Sequence, residues 1–325
     1  MLAFILRRVM QSIVVLVVVV LLAFTMFRFV GDPVNQIVSL DTPAEQVAAV
    51  RKSLGLDDPV PVQIARYLYR VVQLDFGISY QFRQPVVDLL AERAPATLEL
   101  ALMSSLISLL VGIPMGVYTA LRRDGFFARL FQSISLIGVS LPTFLIGILL
   151  IYLFSVTLGW LPSFGRGQVV VVSGRWTTGL LTTSGLKALI LPAITLGLYQ
   201  MTLIMRLVRS EMLEVLRADH IKFARARGLS TQAIHFRHAL KSTLVPVITI
   251  AGLQLGSIIA FAVITETVFQ WPGMGALFLK AVQNVDIPIM AAYLMIISAL
   301  FVSINMVVDL LYAFVDPRLR TTIKG

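Results

Sequence analysis

Cysteine is missing from this chain of 325 residues, which excludes disulfide bonds, thiolate metal sites and lipid anchors on cysteine. Charged side chains are scarce, at 14% of residues against 58% that are hydrophobic. No GxxxxGK(S/T) loop occurs, so the chain cannot hold a nucleoside triphosphate in the usual phosphate-binding loop. Motifs that read nucleic-acid grooves are absent, and the net charge of +10 therefore does not indicate a nucleic-acid partner.

Histidine occurs only three times, as His220, His235 and His238. The last two have the spacing of a metal pair on one helix face, but no cysteine or well-placed third ligand accompanies them. We therefore expect no metal site, and we interpret the histidines as solvated or in contact with a partner. The sequence also lacks a plausible set of acid, base and nucleophile, so it predicts no catalytic residues.

Long apolar runs dominate the sequence instead. A helix needs about 20 apolar residues to cross a bilayer, and six runs qualify: Val9–Phe27, Leu100–Leu121, Leu130–Leu158, Ala188–Met205, Ser242–Thr265 and Ile287–Val308. The first run is too long for a signal peptide and is not followed by small residues at a cleavage site. The sequence predicts an all-α, polytopic membrane protein with six transmembrane helices.

Lysine and arginine indicate the orientation, because they collect in cytoplasmic connections. With a cytoplasmic start, 16 of the 27 Lys and Arg residues fall in residues 1–8, 122–129, 206–241 and 318–324. Both termini are therefore predicted to be cytoplasmic. We divide the chain into a first transmembrane helix (1–30), an extracytoplasmic helical segment (31–97), a five-helix core (98–313) containing a cytoplasmic loop (206–246), and a cytoplasmic tail (314–325).

The extracytoplasmic segment carries signals for two short helices. Thr42-Pro43-Ala44-Glu45 offers an N-cap, a proline at the first helical position and a capping-box acid, and Gly55 is placed to end that helix. A second, amphipathic helix is predicted after Pro59 and ends near Gly77.

Proline and glycine interrupt three of the core spans, at Pro114, Pro142 and Pro192. Such breaks occur where helices pack closely on small residues, or where a water-lined pathway satisfies the freed backbone groups. The sequence leaves both interpretations open.

The loop from Arg206 to Pro246 is the largest polar, basic segment predicted on the cytoplasmic side, with eight Lys and Arg residues against three acids. A short helix is predicted from about Asp219 to Arg227, capped by Asp219 and ended by Gly228. Ala224 and Ala226 would let it press into a groove on a partner protein, while Lys222, Arg225 and Arg227 reach an acidic rim. The alternative is a basic loop that rests on anionic lipid headgroups.

A few ionisable residues lie near the ends of the spans: Arg28, Glu99, Glu266 and Asp309. Each is close enough to an interface to be solvated or paired with a neighbour, although an acid at membrane depth is also a candidate for a substrate site. Glu266 is the best candidate for an outer gate or pathway residue, because it precedes the turn Trp271-Pro272-Gly273.

Several short motifs resemble one family. Ala224-x-Ala226-x-Gly228-Leu229, His238-Ala239-Leu240-Lys241 and Leu244-Val245-Pro246 are similar to the cytoplasmic EAA loop of bacterial ABC importer permeases, in its peptide-permease form. The resemblance to the dipeptide, oligopeptide and nickel branch extends over nearly the whole chain, through Arg7-Arg8, Gly31-Asp32-Pro33, Leu54-Gly55-Leu56-Asp57, Asp75-Phe76-Gly77-Ile78-Ser79, Ala96-Thr97-Leu98-Glu99-Leu100, Gly112-Ile113-Pro114, Leu191-Pro192-Ala193, Thr265-Glu266-Thr267-Val268-Phe269, Trp271-Pro272-Gly273-Met274-Gly275 and Asp316-Pro317-Arg318.

The resemblance implies the fold of a type I ABC importer permease in a bacterial inner membrane, with alternating access as its mechanism. The residues expected to couple it to an ATPase are Asp219, His220, Lys222, Phe223, Ala224, Arg225, Ala226, Arg227, Gly228 and Leu229. The sequence departs from the family at Lys222 and Phe223, where the general motif has Glu-Ala, at His220, where many peptide permeases have an aromatic hydroxyl, and at Ser242, where asparagine is common. These departures leave the docking site intact.

The implied partners are a second, similar permease, with a heterodimer favoured, two ATP-binding subunits and an extracytoplasmic substrate-binding protein. ATP and Mg²⁺ would be bound by the ATPase subunits, and this chain would bind no cofactor. The cargo would be di- or oligopeptides, with glutathione or chelated nickel as alternatives within the family. A transporter driven by an ion gradient is a second hypothesis, but it predicts inverted repeats and midplane charges that are not evident in the sequence.

Overall fold

The computed structural model describes residues 2–29, 34, 43–53 and 56–315. Its helices are α1 (Leu2–Phe29), α2 (Ala44–Ser53), α3 (Val60–Val72), α4 (Val86–Leu121), α5 (Phe126–Ser140), α6 (Thr143–Leu150), α7 (Thr183–Val215), α8 (Asp219–Ala226), α9 (Leu240–Val268), α10 (Met274–Gln283) and α11 (Ile287–Val315). Two π-helical segments continue α6 (Ile151–Thr157) and precede α9 (Ala233–Ala239), and strands β1 (Val170–Ser173) and β2 (Trp176–Thr178) pair in an antiparallel hairpin.

Within the described residues, five continuous stretches of helix are long and apolar enough to cross a membrane: Leu6–Met26, Val86–Leu121, Thr183–Val215, Ala233–Val268 and Ile287–Leu310. The predicted run Leu130–Leu158 is instead a pair of helices, α5 and α6 with its π-helical extension, bent by 117° at their junction. Proline disfavours helical geometry in the residue before it, and Leu141, which precedes Pro142, is extended (φ −94°, ψ 139°). Counted as one span, this bent pair completes the predicted six.

Helices α4 and α7 run parallel and pack along most of their lengths, because small residues let their backbones approach. A Cβ atom on Gly116 would lie 2.6 Å from the Cβ of Val208, and one on Gly197 would lie 2.7 Å from the carbonyl oxygen of Ser104. Pro114 and Pro192 lie within these two helices. The structure therefore supports the close-packing interpretation of the glycine-rich spans.

Helix α9 runs antiparallel to this pair, and a buried cluster fills each half of the three-helix contact. We call the end of the bundle that carries Arg122 and α8 the inner end, and the opposite end the outer end. The outer cluster includes Leu100, Leu189, Ile258 and Trp271. The inner cluster includes Val117, Met212 and Val247, together with Ile221 and Ile234 from the loop between α7 and α9.

Helix α1 packs on α11 at the side of the bundle, and α3 covers its outer part. Arg8 of α1 forms an ion pair with Asp309 of α11, with Nη1 3.0 Å from Oδ2, which matches the expectation that Asp309 is solvated or paired. The side chain of Arg28 lies outside the described side chains.

The two predicted extracytoplasmic helices are present as α2 and α3, with differences at their ends. Pro43 precedes the first helical residue of α2, and its carbonyl oxygen accepts from the N–H of Val47, so proline is not at the first helical position. Helix α3 ends at Val72, short of Gly77, and α4 already begins at Val86, so the boundary predicted at residue 97 falls inside a helix. Thr42, Gly55, Gly31-Asp32-Pro33 and the tail from Asp316 lie outside the described residues.

Candidate functional site

The segment of residues 219–229, which we call the knob, projects from the inner end between α7 and α9. Its helix α8 begins at Asp219, but the N-cap is Ala218, whose carbonyl oxygen accepts from the N–H groups of Ile221 and Lys222. The prediction that Asp219 caps the helix is wrong. Its carboxylate instead accepts a 2.8 Å hydrogen bond from Nζ of Lys222, and its charge in the first turn complements the helix dipole.

The other end of α8 is closed as the sequence predicts. Gly228 has a φ of +79°, the left-handed conformation that glycine adopts without a Cβ penalty. Its N–H bonds to the carbonyl oxygen of Arg225, and the N–H of Leu229 bonds to that of Ala224. This pair of hydrogen bonds is a Schellman motif, and it turns the chain back towards α9.

One face of α8 is buried against the bundle and the other is open. Ile221 is fully buried and Ala224 is 6% exposed, both on the inward face. The interpretation of Ala224 as a contact for a partner's groove is therefore wrong, because its side chain is already packed. The other nine residues of the predicted coupling set are exposed on the open side of the knob: Asp219, His220, Lys222, Phe223, Arg225, Ala226, Arg227, Gly228 and Leu229.

Phe223 is the most apolar feature of this outward face, at 65% exposed. The guanidinium carbon of Arg227 lies 5.7 Å from the centre of its ring, within the range of a cation–π interaction. Phe236, in the π-helical segment that follows the knob, is 54% exposed and was not identified from the sequence. The knob thus offers an aromatic side chain surrounded by cations.

The chain leaves the knob through a capped helix that continues without a break into α9. Ser230 Oγ accepts from the N–H of Ala233, so Ser230 caps the start of this helix. Ile234 is buried beside Ile221 in the inner cluster. The knob is therefore joined in the chain to two of the packed spans, with α7 before it and α9 after it.

At the outer end, Glu266 of α9 is fully buried, and its carboxylate accepts hydrogen bonds from its neighbours. Thr97 Oγ1 donates to Oε1 across 2.6 Å, and the backbone N–H groups of Gly275 and Ala276 donate to the same carboxylate. Thr97 also accepts from the N–H of Met274. The carboxylate therefore satisfies the free N–H groups at the start of α10, and a Cβ atom on Gly273 would collide with it.

One cavity of about 460 Å³ lies beside α10, and it is lined by all four outer-gate candidates: Glu266, Trp271, Pro272 and Gly273. Trp271 is itself almost fully buried. Arg93, Lys280 and Phe82 line the same cavity and were missed in the sequence. They come from separate segments of the chain, and no local pattern connects them.

Glu99, the other acid expected near the outer ends of the spans, forms a buried ion pair with Arg166. Both side chains are 6% exposed, and Arg166 donates from Nε at 3.1 Å and also from Nη2. The N–H of Gly179 donates to Oε1 at 3.0 Å, and Arg166 Nη2 donates to the carbonyl oxygen of Thr177. The pair thus fastens the β1–β2 hairpin to α4.

Arg175, in the turn of the β1–β2 hairpin, is exposed and donates to Asp88 at the start of α4. This hydrogen bond raises the pKa of Arg175 above its ordinary value.

Comparison with known proteins agrees with this architecture. The family model for the inner membrane component of binding-protein-dependent transport systems matches residues 112–321, and the model for the N-terminal part of such components matches residues 1–101. A putative peptide transport system permease of Brucella abortus strain 2308 is 40% identical over 98% of this chain and 99% of its own.

Two further relatives match over nearly their full lengths. The dipeptide transport system permease DppB of Alkalihalophilus pseudofirmus is 33% identical, over 98% of this chain and 100% of its own. The glutathione transport system permease GsiC of Salmonella paratyphi A is 36% identical, over 98% and 99%.

Among solved structures, an inward-facing form of the MetNI methionine ABC transporter superposes with a TM-score of 0.54. It is 20% identical and covers 70% of this chain and 96% of its own, so it supports the fold alone. With its apolar helices, the chain is a multi-pass protein of the bacterial inner membrane. It belongs to the family of inner membrane components of binding-protein-dependent transport systems, in the peptide-permease branch of the ABC importers, and has their type I permease fold.

Proposed function

We propose that this chain is the membrane permease subunit of an ATP-driven importer of short peptides. The observation that carries the proposal is its likeness, over nearly the full length, to permeases named for peptide, dipeptide and glutathione transport. Glutathione is itself a tripeptide, so the three names share one class of cargo.

The chain supplies the passage and takes its energy from other subunits. It lacks a phosphate-binding loop, so ATP and Mg²⁺ bind to two separate ATPase subunits. A second, homologous permease completes the passage, and the two chains form a heterodimer. An extracytoplasmic binding protein delivers the peptide to the outer end. Alternation between inward-open and outward-open arrangements moves the peptide across.

The knob is the point at which the ATPase acts on this chain. Its outward face combines exposed Phe223 with Lys222, Arg225 and Arg227, which suits an apolar pocket with an acidic rim. Its inward face is held by Ile221 and Ala224 in the inner cluster. A push on the outward face therefore reaches α7 and α9 through packed side chains, because a close-packed interior transmits strain.

Substitution of Ala226, an exposed residue of the knob, tests this assignment. Ala226→Trp adds bulk on the docking face and leaves the buried face of α8 unchanged. We expect the complete importer carrying this variant to insert normally in proteoliposomes but to lose peptide uptake and the ATP hydrolysis that the loaded binding protein stimulates. Asp124→Trp, at another exposed position of the inner end, is the matched control. Unchanged coupling in Ala226→Trp would remove the docking assignment.

A further inference from the structure

The outer cavity carries cations that the capping of Glu266 does not use. Arg93 and Lys280 both line it, and neither has an ion-pair or side-chain hydrogen-bond partner among the residues that the structure describes. Arg93 interacts with Glu266 only through space, as charge with charge. The carboxylate of Glu266 is already occupied by Thr97 and by the N–H groups of α10.

A cavity with two cations and one satisfied acid has an unused capacity for an anion. Cations bind carboxylates with hydrogen bonds that are stronger than those between neutral groups. An anionic group such as a carboxylate would complete this set of charges.

The rest of the lining suits the backbone and side chains of a short peptide. Phe82 supplies aromatic surface, and Gln270 and Gln283 supply side-chain amides that can both donate and accept. The volume of about 460 Å³ lies within the range of ligand sites, about 300–1,000 Å³.

The backbone at the mouth of the cavity is also unusual. Gln270 has a φ of +48°, in the left-handed region that costs free energy for a residue other than glycine. Strain of this kind persists where the surrounding structure holds it, and it concentrates at ligand sites. Here the turn from α9 to α10 holds Gln270 among the lining residues of the cavity.

We propose that the outer cavity is a binding subsite for the C-terminal carboxylate of a short peptide, held by Arg93 and Lys280. The inference rests on the proposed function, and it adds a place on this chain where the cargo is bound after it leaves the binding protein. Gln270 and Gln283 contact the peptide amides, and Phe82 contacts its side chains.

The test measures direct binding to the complete importer in nanodiscs, without the binding protein. The probes are radiolabelled dialanine and trialanine, each as the free acid and as the C-terminal amide. We expect the acids to bind and the amides to bind about tenfold or more weakly, since a charged hydrogen bond is lost. Arg93→Gln and Lys280→Gln should each weaken the binding of the free-acid peptides by a similar factor and leave the binding of the amides unchanged. Arg70→Gln, which removes an exposed cation on α3 away from the cavity, should bind like the wild type.

Equal binding of acid and amide, no binding of either peptide, or indifference to both cavity substitutions would each overturn the proposal. A carboxylate on the surface of the binding protein is the other source of the same chemistry, so the affinity of the binding protein for the same nanodiscs is measured in parallel. If the cavity variants bind the peptides normally and lose only affinity for the binding protein, the cavity is a docking site for the binding protein. That result would also overturn the peptide subsite. Peptide uptake by the wild-type importer is recorded separately, because its absence contradicts the proposed function, whereas normal uptake with indifferent cavity variants contradicts the subsite alone.

Discussion

Trp271 donates its indole N–H to the carbonyl oxygen of Ala96 across 2.9 Å. The two residues are far apart in the sequence, and this hydrogen bond joins the turn after α9 to the first third of α4. Beside it, Thr97 joins the same helix to Glu266 and to the start of α10. The outer end of the bundle is therefore fixed by polar contacts that hold three helices in register.

Thr97→Val should destabilise this junction, because it removes both a donor to Glu266 and an acceptor for the N–H of Met274 while it keeps the shape of the side chain. Leaving buried polar groups unpaired costs about 1–3 kcal/mol. Thermal unfolding of the purified chain in detergent measures the loss. Thr25→Val is the control, because the hydroxyl of Thr25 bonds only within its own exposed helix. An equal effect of the two substitutions would show that the junction adds no stability.

Gly116→Ala should separate α4 from α7, because the new methyl group would lie 2.6 Å from Cβ of Val208 and 2.7 Å from the carbonyl oxygen of Met205. Overpacking of this kind typically costs about 1–3 kcal/mol. The same thermal unfolding assay measures it. Gly125→Ala meets nothing closer than 3.5 Å and should lose less stability than Gly116→Ala. Wild-type stability in Gly116→Ala would contradict the close parallel packing.

The Glu99–Arg166 pair should behave as a coupled unit. Glu99→Leu or Arg166→Leu alone leaves a buried charge without its partner, at a cost of about 3–5 kcal/mol, whereas replacing both removes both charges. We expect the double variant to be more stable than either single one. The double-mutant cycle is read by thermal unfolding and by protease cleavage in the β1–β2 hairpin. Additive losses would indicate that the two side chains act independently.

The sequence predicts the spans because each needs only a local apolar run, and it predicts the end of α8 because Gly228 is a local signal. It does not predict the bend at Pro142, since whether a proline kinks a span or ends it depends on what packs around it. The inward direction of Ala224 could have been read from Ile221 three residues earlier, which marks the same helix face. Arg93 and Lys280 meet only in the folded chain, so no spacing in the sequence could have paired them.

Phe223 and Ile221 lie on opposite faces of α8 and allow docking to be separated from folding. Phe223→Ala truncates an exposed side chain, so the stability of the chain should change by less than about 0.5 kcal/mol, while copurification of the ATPase subunits and coupled ATP hydrolysis should fall. Ile221→Ala empties a fully buried position and should lower the free energy of unfolding by about 2–5 kcal/mol. Thermal unfolding and ATPase copurification, measured on both variants, give the comparison. Because exposed aromatic side chains contribute to binding only when a partner buries them, full ATPase copurification with Phe223→Ala would mean that the ATPase does not dock on this face of the knob.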